Sequence, residues 1–316
     1  MTNSKFDVVI IGGGPAGLSG AVALGRARRS VVVVDSGEPR NAPAHAVHNF
    51  LTRDGTSPAE LRRLGREEAR AYGAELVDAR ADGVQRTDDG FAVRLSTGSV
   101  VTGRRLLVTT GLVDELPEVE GLRERWGVDA LHCPYCHGWE VRDRAIGVLA
   151  SGPRAFHQAL LFRQWSPDIT LLLNGQALPE AEQLELLAAR GIKVVEGRVE
   201  RLVVEDDTLV GVELAGGSVH ALEALVVGAP VSVRAGLLVD LGLELAEHPM
   251  GMGLYVATDA SGATSLPGVW AAGNVTNLAG QVITSAGEGL WAGAQINASL
   301  IADDERDALE AYRAAR

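Results

Sequence analysis

A Val- and Ile-dominated run, Phe6-Asp7-Val8-Val9-Ile10-Ile11, passes directly into Gly12-Gly13-Gly14-Pro15-Ala16-Gly17. Little else can be built from that order. The run reads as a buried parallel strand, the glycines as a G-x-G-x-x-G turn, and the Ala- and Leu-rich stretch to about Ala27 as a helix. Gly12 makes the tight turn, Gly14 lets a pyrophosphate approach the backbone, and Gly17 lets the helix lie close on the strand. Free N–H groups and the positive dipole end of the helix then face the phosphates. A second strand, Ser30 to Val34, ends in Asp35, placed to accept hydrogen bonds from ribose hydroxyls. Strand, glycines, helix, strand and acid in register point to a dinucleotide rather than a structural turn.

The chain has 316 residues, enough for two medium domains that each bury a core. Its 46% hydrophobic and 22% charged residues suit a soluble α/β enzyme. A net charge of −12 argues against nucleic acid and anionic membranes as partners. The first five residues are polar, and the apolar run after them meets glycine within six residues, which fits neither a secretory leader nor a membrane span. A cytoplasmic location is therefore expected. The stretch from Ile301 to Arg316 is charged and Ala-rich, as in a surface helix.

Both cysteines of the chain stand in one motif, Cys133-Pro134-Tyr135-Cys136-His137-Gly138. Two intervening residues let the sulfurs reach each other, and a cytosolic pair of this kind is usually redox-active rather than structural. The pattern also matches the attachment motif of c-type haem, a chemistry that follows export. A zinc site needs about four ligands; Cys133, Cys136, His132 and His137 lack a second distant pair, so no metal is expected. A neutral imidazole at His137 can take a proton from an incoming thiol, and the imidazolium then stabilises a thiolate. The plainer alternative is a histidine that only caps or packs.

Far downstream, Leu266-Pro267-Gly268-Val269-Trp270-Ala271-Ala272-Gly273-Asn274-Val275 reads as a strand closing on a Gly-x-polar turn. Gln281-Val282-Ile283-Thr284-Ser285-Ala286-Gly287-Glu288-Gly289 then opens a helix. With the glycine turn, the Thr109-Thr110-Gly111 turn and the C-x-x-C, this segment resembles the bacterial thioredoxin reductase family of flavoproteins over nearly the whole chain. The resemblance implies FAD as cofactor. It implies contacts from Gly12, Gly13, Gly14, Pro15, Ala16 and Gly17, from Asp35, Ser36, Arg40 and Asn41, and from Asn49. It adds Thr110, Gly111, Gly273, Asn274, Gln281, Val282 and Ile283. His45 and His48 flank the Asn49 position, either at the flavin edge or as polar loop residues. Family members usually carry Asp where this chain has Asn274; Asn keeps one acceptor and adds donors.

The order of these motifs implies an α/β protein of two Rossmann-like dinucleotide domains, the second inserted in the first. The FAD domain is expected at 1–117 and 250–316, and a redox insert carrying the C-x-x-C at 118–249. Within the insert a strand at Ala145 to Leu149, a turn Ala150-Ser151-Gly152-Pro153-Arg154-Ala155, a helix to about Gln164 and a strand at Ile169 to Leu173 repeat the β-α-β pattern.

Two features depart from a reductase. The first glycine of the second turn is Ala150, whose Cβ crowds a pyrophosphate, and no Arg or Lys stands between Ile169 and Glu180 to hold the 2′-phosphate of NADPH. Residue 137 is His where thioredoxin reductases commonly have Asp. The Cys-x-x-Cys-His-Gly form instead resembles the flavin-dependent dithiol oxidases that close the disulfides of natural products such as holomycin and gliotoxin. That resemblance implies an FAD-dependent dithiol oxidase acting through Cys133, Cys136 and His137, taking a small dithiol and O2 and needing no NADPH. A disulfide reductase drawing on NAD(P)H or another carrier is the alternative, and a non-catalytic flavin redox sensor a third reading. Tyr135, Trp139, Trp126 and His132 either line a substrate pocket or belong to the core. A homodimer is implied by resemblance alone.

Overall fold

The structure, a computed structural model, describes residues 4–152 and 154–316, so the first three residues and Pro153 of the second turn lie outside it. The chain forms two compact units. The first comprises Met1–Arg40, Ala59–Val113 and Ser232–Arg316, and the second Asn41–Pro58 and Asp114–Val231. This division differs from the expected boundaries in two places. Residues 232–249 join the first unit because Leu238 and Leu243 are buried in its core with Val84 and Val269. Residues 41–58 join the second, where a Cβ added to Gly127 would sit 2.9 Å from Pro43 Cβ.

The first unit is built on a seven-stranded sheet. Its order is Glu75–Asp78, Val31–Asp35, Ser4–Ile11, Val100–Val108, Gly90–Leu95 and Ala81–Thr87, with Val269–Ala271 also pairing to Val100–Val108. Ser4–Ile11 runs parallel to both neighbours, with Val8 opposite Val31 and Ile11 opposite Val108. The period of two in a strand then sorts the side chains. Val9, Ile11, Val32, Val34 and Leu106 enter one core, with Phe91 and Val93 of the antiparallel strands. Val8, Ile10, Val31, Val33 and Leu107 enter the other, beneath two helices.

Those helices are Pro15–Arg26 and the 33-residue Val282–Ala314. They approach closely at Gly289, where an added Cβ would lie 1.9 Å from the Ala16 carbonyl oxygen. The surface helix expected at the C-terminus is the end of this long helix, exposed along its last turns. Its middle is tied to the unit by Arg29–Asp304 at 2.7 Å and Arg104–Asp304 at 2.9 Å.

The second unit carries five parallel strands in the order Lys193–Val195, Ile169–Leu172, Ile146–Leu149, Ala224–Val227 and Ala130–Leu131. The same alternation holds. Ile146, Val148, Ile169 and Leu171 face the helix Ala155–Phe162, which buries Ala155, Ala159 and Phe162. Leu149, Leu172, Leu225 and Val227 face an antiparallel sheet of Val199–Glu205, Thr208–Leu214 and Val219–Ala221. The predicted β-α-β pattern is present here, each element within a residue or two of its expected ends. Among the described residues no helix is long and apolar enough to cross a membrane.

Candidate functional site

In the first unit the glycine turn is a cradle shaped by contact with Thr109. Gly12 has φ of 110°, and an added Cβ would lie 2.4 Å from the Thr109 carbonyl oxygen. The Thr109 hydroxyl donates to the Gly12 carbonyl at 2.8 Å and so locks the turn. A Cβ on Gly14 would meet no atom within 4 Å. Gly14 is also the N-cap of Pro15–Arg26, with no side chain capping the helix. Open space before uncapped N–H groups is what a pyrophosphate requires, so the residues present fit FAD.

Asp35 is less open than the sequence suggests. Its carboxylate accepts a hydrogen bond from Arg62, and Arg66 Nη1 stands 3.7 Å away. Burial pushes the Asp35 carboxyl up, but the Arg62 hydrogen bond and charge and the N–H groups of Gly13 and Gly37 hold it below the usual carboxylate range. A ribose hydroxyl would therefore share an ionised acceptor with Arg62. No sequence signal singles out Arg62 among the charges of its helix. Ser36 is exposed, and Arg40 half-buried at the end of this segment.

The remaining expected contacts of this unit gather at the ends of Val100–Val108 and Val269–Ala271. Thr110 Oγ1 donates to the Arg234 carbonyl at 2.6 Å, and Gly111 has φ of 71°. The Gly273 N–H donates to Glu288 at 2.9 Å. Asn274 Nδ2 donates to the carbonyls of Asn277 at 2.9 Å and Gly280 at 2.8 Å. An aspartate could make neither bond, which gives the Asn at this position a structural reason. Its Oδ1 accepts no hydrogen bond from the described residues. Gln281 is the N-cap of the long helix, without a side-chain cap bond, and Val282 and Ile283 form its first turn.

In the second unit the C-x-x-C opens a short helix, Pro134–His137, with Cys133 as N-cap and Pro134 fixing the first turn. The Cys136 and His137 N–H groups both donate to the Cys133 carbonyl at 3.2 Å. Both cysteines are half-buried. Trp165 supports the turn from below, since a Cβ on Gly138 would come within 2.9 Å of its ring. Tyr135 packs edge-on to the same ring at 5.6 Å between centroids.

Both ring nitrogens of His137 are buried, and neither has a hydrogen-bond partner among the described residues. Burial pushes its pKa below the usual histidine value; the Glu140 carboxylate opposes that, and the charges of His48 and His132 add to it. A histidine kept neutral with an unsatisfied nitrogen can accept a proton. Tyr135 and Trp139 are exposed at 57% and 65%, so they are not core residues. Trp126 packs against the core beside the antiparallel sheet, and His132 is half-buried, its Nδ1 3.5 Å from the Val227 carbonyl.

His45, His48, Asn49 and Asn41 belong to the second unit, and the glycine turn to the first. Asn49 has φ of 60°, held by its N–H donating to Asp54 Oδ1 at 2.9 Å, and its side chain donates to the Tyr135 carbonyl. His48 has Asp54 Oδ2 at 3.3 Å from Nδ1 and Glu140 Oε1 at 3.4 Å from Nε2. Asp54 and Glu140 were not legible as site residues, because nothing in their own neighbourhood distinguishes them. His45 is exposed. No group of three or more metal-ligating side chains occurs among the described residues.

Ser151 Oγ in the second β-α-β turn and Gln158 Oε1 in the helix after it are buried without a partner among the described residues. Gln158 crowds Gly228, where a Cβ would lie 2.4 Å from Oε1. Asn174, at the end of Ile169–Leu172, accepts the Val199 N–H at 3.0 Å and so ties this strand end to the antiparallel sheet.

The family model for pyridine nucleotide-disulphide oxidoreductases matches residues 6–292. The thioredoxin reductase tcpT of Claviceps purpurea is 33% identical over 96% of each chain, and the thioredoxin reductase sirT of Leptosphaeria maculans 32% identical over 95% of this chain and 96% of its own. Among solved structures, the crystal structure of HlmI is 47% identical with a TM-score of 0.93, covering 99% of this chain and 98% of that one. The protein thus belongs to the pyridine nucleotide-disulphide oxidoreductase family, as an FAD-dependent disulfide oxidoreductase of the thioredoxin reductase-like kind.

Proposed function

We propose that the protein is a dithiol oxidase, closing a disulfide in a small dithiol with O2 as final oxidant and without NADPH. The observation that carries this reading is His137, directly after Cys136: its ring nitrogens are buried and have no hydrogen-bond partner among the described residues, and burial pushes it towards neutrality. A substrate thiol loses its proton to His137, and its sulfur attacks the Cys133–Cys136 disulfide. That S–S bond breaks as a mixed disulfide forms. The second substrate thiol attacks the mixed disulfide, releasing the oxidised substrate and leaving Cys133 and Cys136 as a dithiol. Overall, R(SH)2 and O2 give RS2 and H2O2.

FAD when bound supplies the two-electron acceptor that returns the cysteines to the disulfide. We assign its pyrophosphate to Gly12–Gly17, its ribose to Asp35, and the rest of its contacts to Ser36, Arg40, Thr110, Gly111, Gly273, Asn274 and the helix start at Gln281, Val282 and Ile283. The absence of Arg and Lys from Ile169 to Glu180 supports independence from NADPH. We further assign a cytoplasmic location and a homodimeric state.

The test is stoichiometry. Dithiothreitol as substrate should consume O2 and yield H2O2 one-for-one with oxidised product, with no nicotinamide present, and the activity should vanish in Cys136→Ser. No O2 uptake with dithiothreitol would refute the assignment. The names of tcpT and sirT favour a second reading, a disulfide reductase with electrons moving the other way.

A further inference from the structure

His137 sits among few charged groups. On its own turn stands Glu140, whose N–H donates to the His137 carbonyl at 3.2 Å, and Cys133 and Cys136 precede it. His132 comes from the end of the preceding strand, and His48 from the 41–58 segment. Among the described residues, Glu140 is the carboxylate whose charge opposes the effect of burial on the imidazole. Left to itself, a glutamate with 41% of its side chain exposed would swing towards water and screen that charge away.

It is not left to itself. His48 Nε2 stands 3.4 Å from Glu140 Oε1, and His48 Nδ1 stands 3.3 Å from Asp54 Oδ2. Asp54 is fixed in turn, because its other oxygen accepts the Asn49 N–H at 2.9 Å. The segment bearing both closes on itself through the Val47–Thr56 bridge, with the Val47 N–H donating to Thr56 at 2.8 Å. The Nδ1 contact is a hydrogen bond, and the Nε2 contact is an ion pair when the ring is protonated.

We propose that Asp54, His48 and Glu140 form a positioning chain for His137. Asp54 orients His48, and His48 holds the Glu140 carboxylate where it stabilises the imidazolium that forms as His137 takes a thiol proton. None of the three touches the reacting sulfur; their part is to fix one negative charge beside a base buried in otherwise unhelpful surroundings. The inference rests on the dithiol-oxidase reading for its purpose, though the coupling between the two side chains stands apart from it.

The experiment titrates the oxidised holoenzyme with 13C-labelled histidine by NMR, the His137 signal being identified by its loss in His137→Asn. Glu140→Gln should lower the His137 midpoint by about 0.5 pH unit, the scale of a partly exposed charge pair. Glu140→Asp should recover part of the shift. Asp54→Asn, which leaves both groups beside the imidazole in place, should give a smaller shift in the same direction. An unmoved or raised midpoint in Glu140→Gln would overturn the proposal.

The acid limb of the pH profile for flavin bleaching by dithiothreitol should move with the NMR midpoint. A uniform slowing with an unmoved limb would mark a merely structural role and overturn it likewise. Failure of dithiothreitol to bleach the wild-type flavin at any pH would refute the oxidase reading, and the NMR midpoints would still decide the positioning chain.

Discussion

Asn49 donates its side-chain amide to the backbone carbonyl of Tyr135, the residue before the second cysteine of the C-x-x-C turn. A segment 86 residues upstream thereby grips the redox turn at its backbone. Asn49 sits in the left-handed region at φ of 60°, a conformation Asn tolerates better than most residues. Asn49→Ala should cost about 1 kcal/mol of stability, since the bond is exposed and the φ unfavourable for Ala. Hydrogen exchange of the amides of Cys136, His137 and Gly138 should accelerate; unchanged exchange would show that the grip is incidental.

Removing the His137 imidazole should separate chemistry from binding. His137→Gln should slow reduction of the enzyme by dithiols about 10²–10⁴-fold, the usual contribution of a positioned base. Bound FAD, measured by absorbance after purification, should stay at the wild-type level. Loss of FAD together with activity would place His137 in cofactor retention instead.

The same histidine predicts the acid behaviour of the fold. Its folded pKa lies below the unfolded value of 6.5, so the unfolded chain binds more protons as pH falls through that region. Its contribution is complete above about pH 6.5 and is lost as pH drops towards the folded pKa. In urea melts, His137→Gln should lose less stability than wild type between neutral pH and that lower value. Parallel pH curves would contradict the buried, neutral state.

Asn274→Asp exchanges two donors for a carboxylate facing the carbonyls of Asn277 and Gly280. The lost bonds and the added repulsion should destabilise the turn by about 1–3 kcal/mol. The variant should purify with a lower FAD-to-protein ratio, and full retention of FAD would argue that the turn tolerates either residue.

Gly289 lets the two helices over the first sheet meet. Gly289→Val places atoms where the Ala16 carbonyl oxygen already lies, 1.9 Å from an ideal Cβ. Overpacking of this kind costs typically about 1–3 kcal/mol, and here it displaces the helix that starts at the glycine turn. Calorimetry should register a lower Tm and weaker FAD retention together.

Local patterns carried most of the fold into the sequence. The unbroken apolar run ending at Ile11 already reads as a buried parallel strand, and the Gly12–Gly17 turn as strand before helix; the sorting of alternate residues into two cores is seen only in the fold. Cys133, Cys136 and His137 were legible because they are adjacent. What stayed hidden depends on distant chain segments meeting. The pairing of Arg62 with Asp35, the return of residues 232–249 to the first core, and the Asp54–His48–Glu140 chain have no local signature. The Asn274 exchange was visible as a departure, but its reason lay in two carbonyls fixed only by the folded turn.

The most direct test of the central claim is anaerobic reduction of the purified flavoprotein, followed by flavin absorbance, with dithiothreitol, NADPH and NADH compared and air then admitted. Bleaching by dithiothreitol alone, with colour and H2O2 returning in air, is the predicted result. Rapid bleaching by NADPH would contradict the account and make the protein a nicotinamide-dependent reductase.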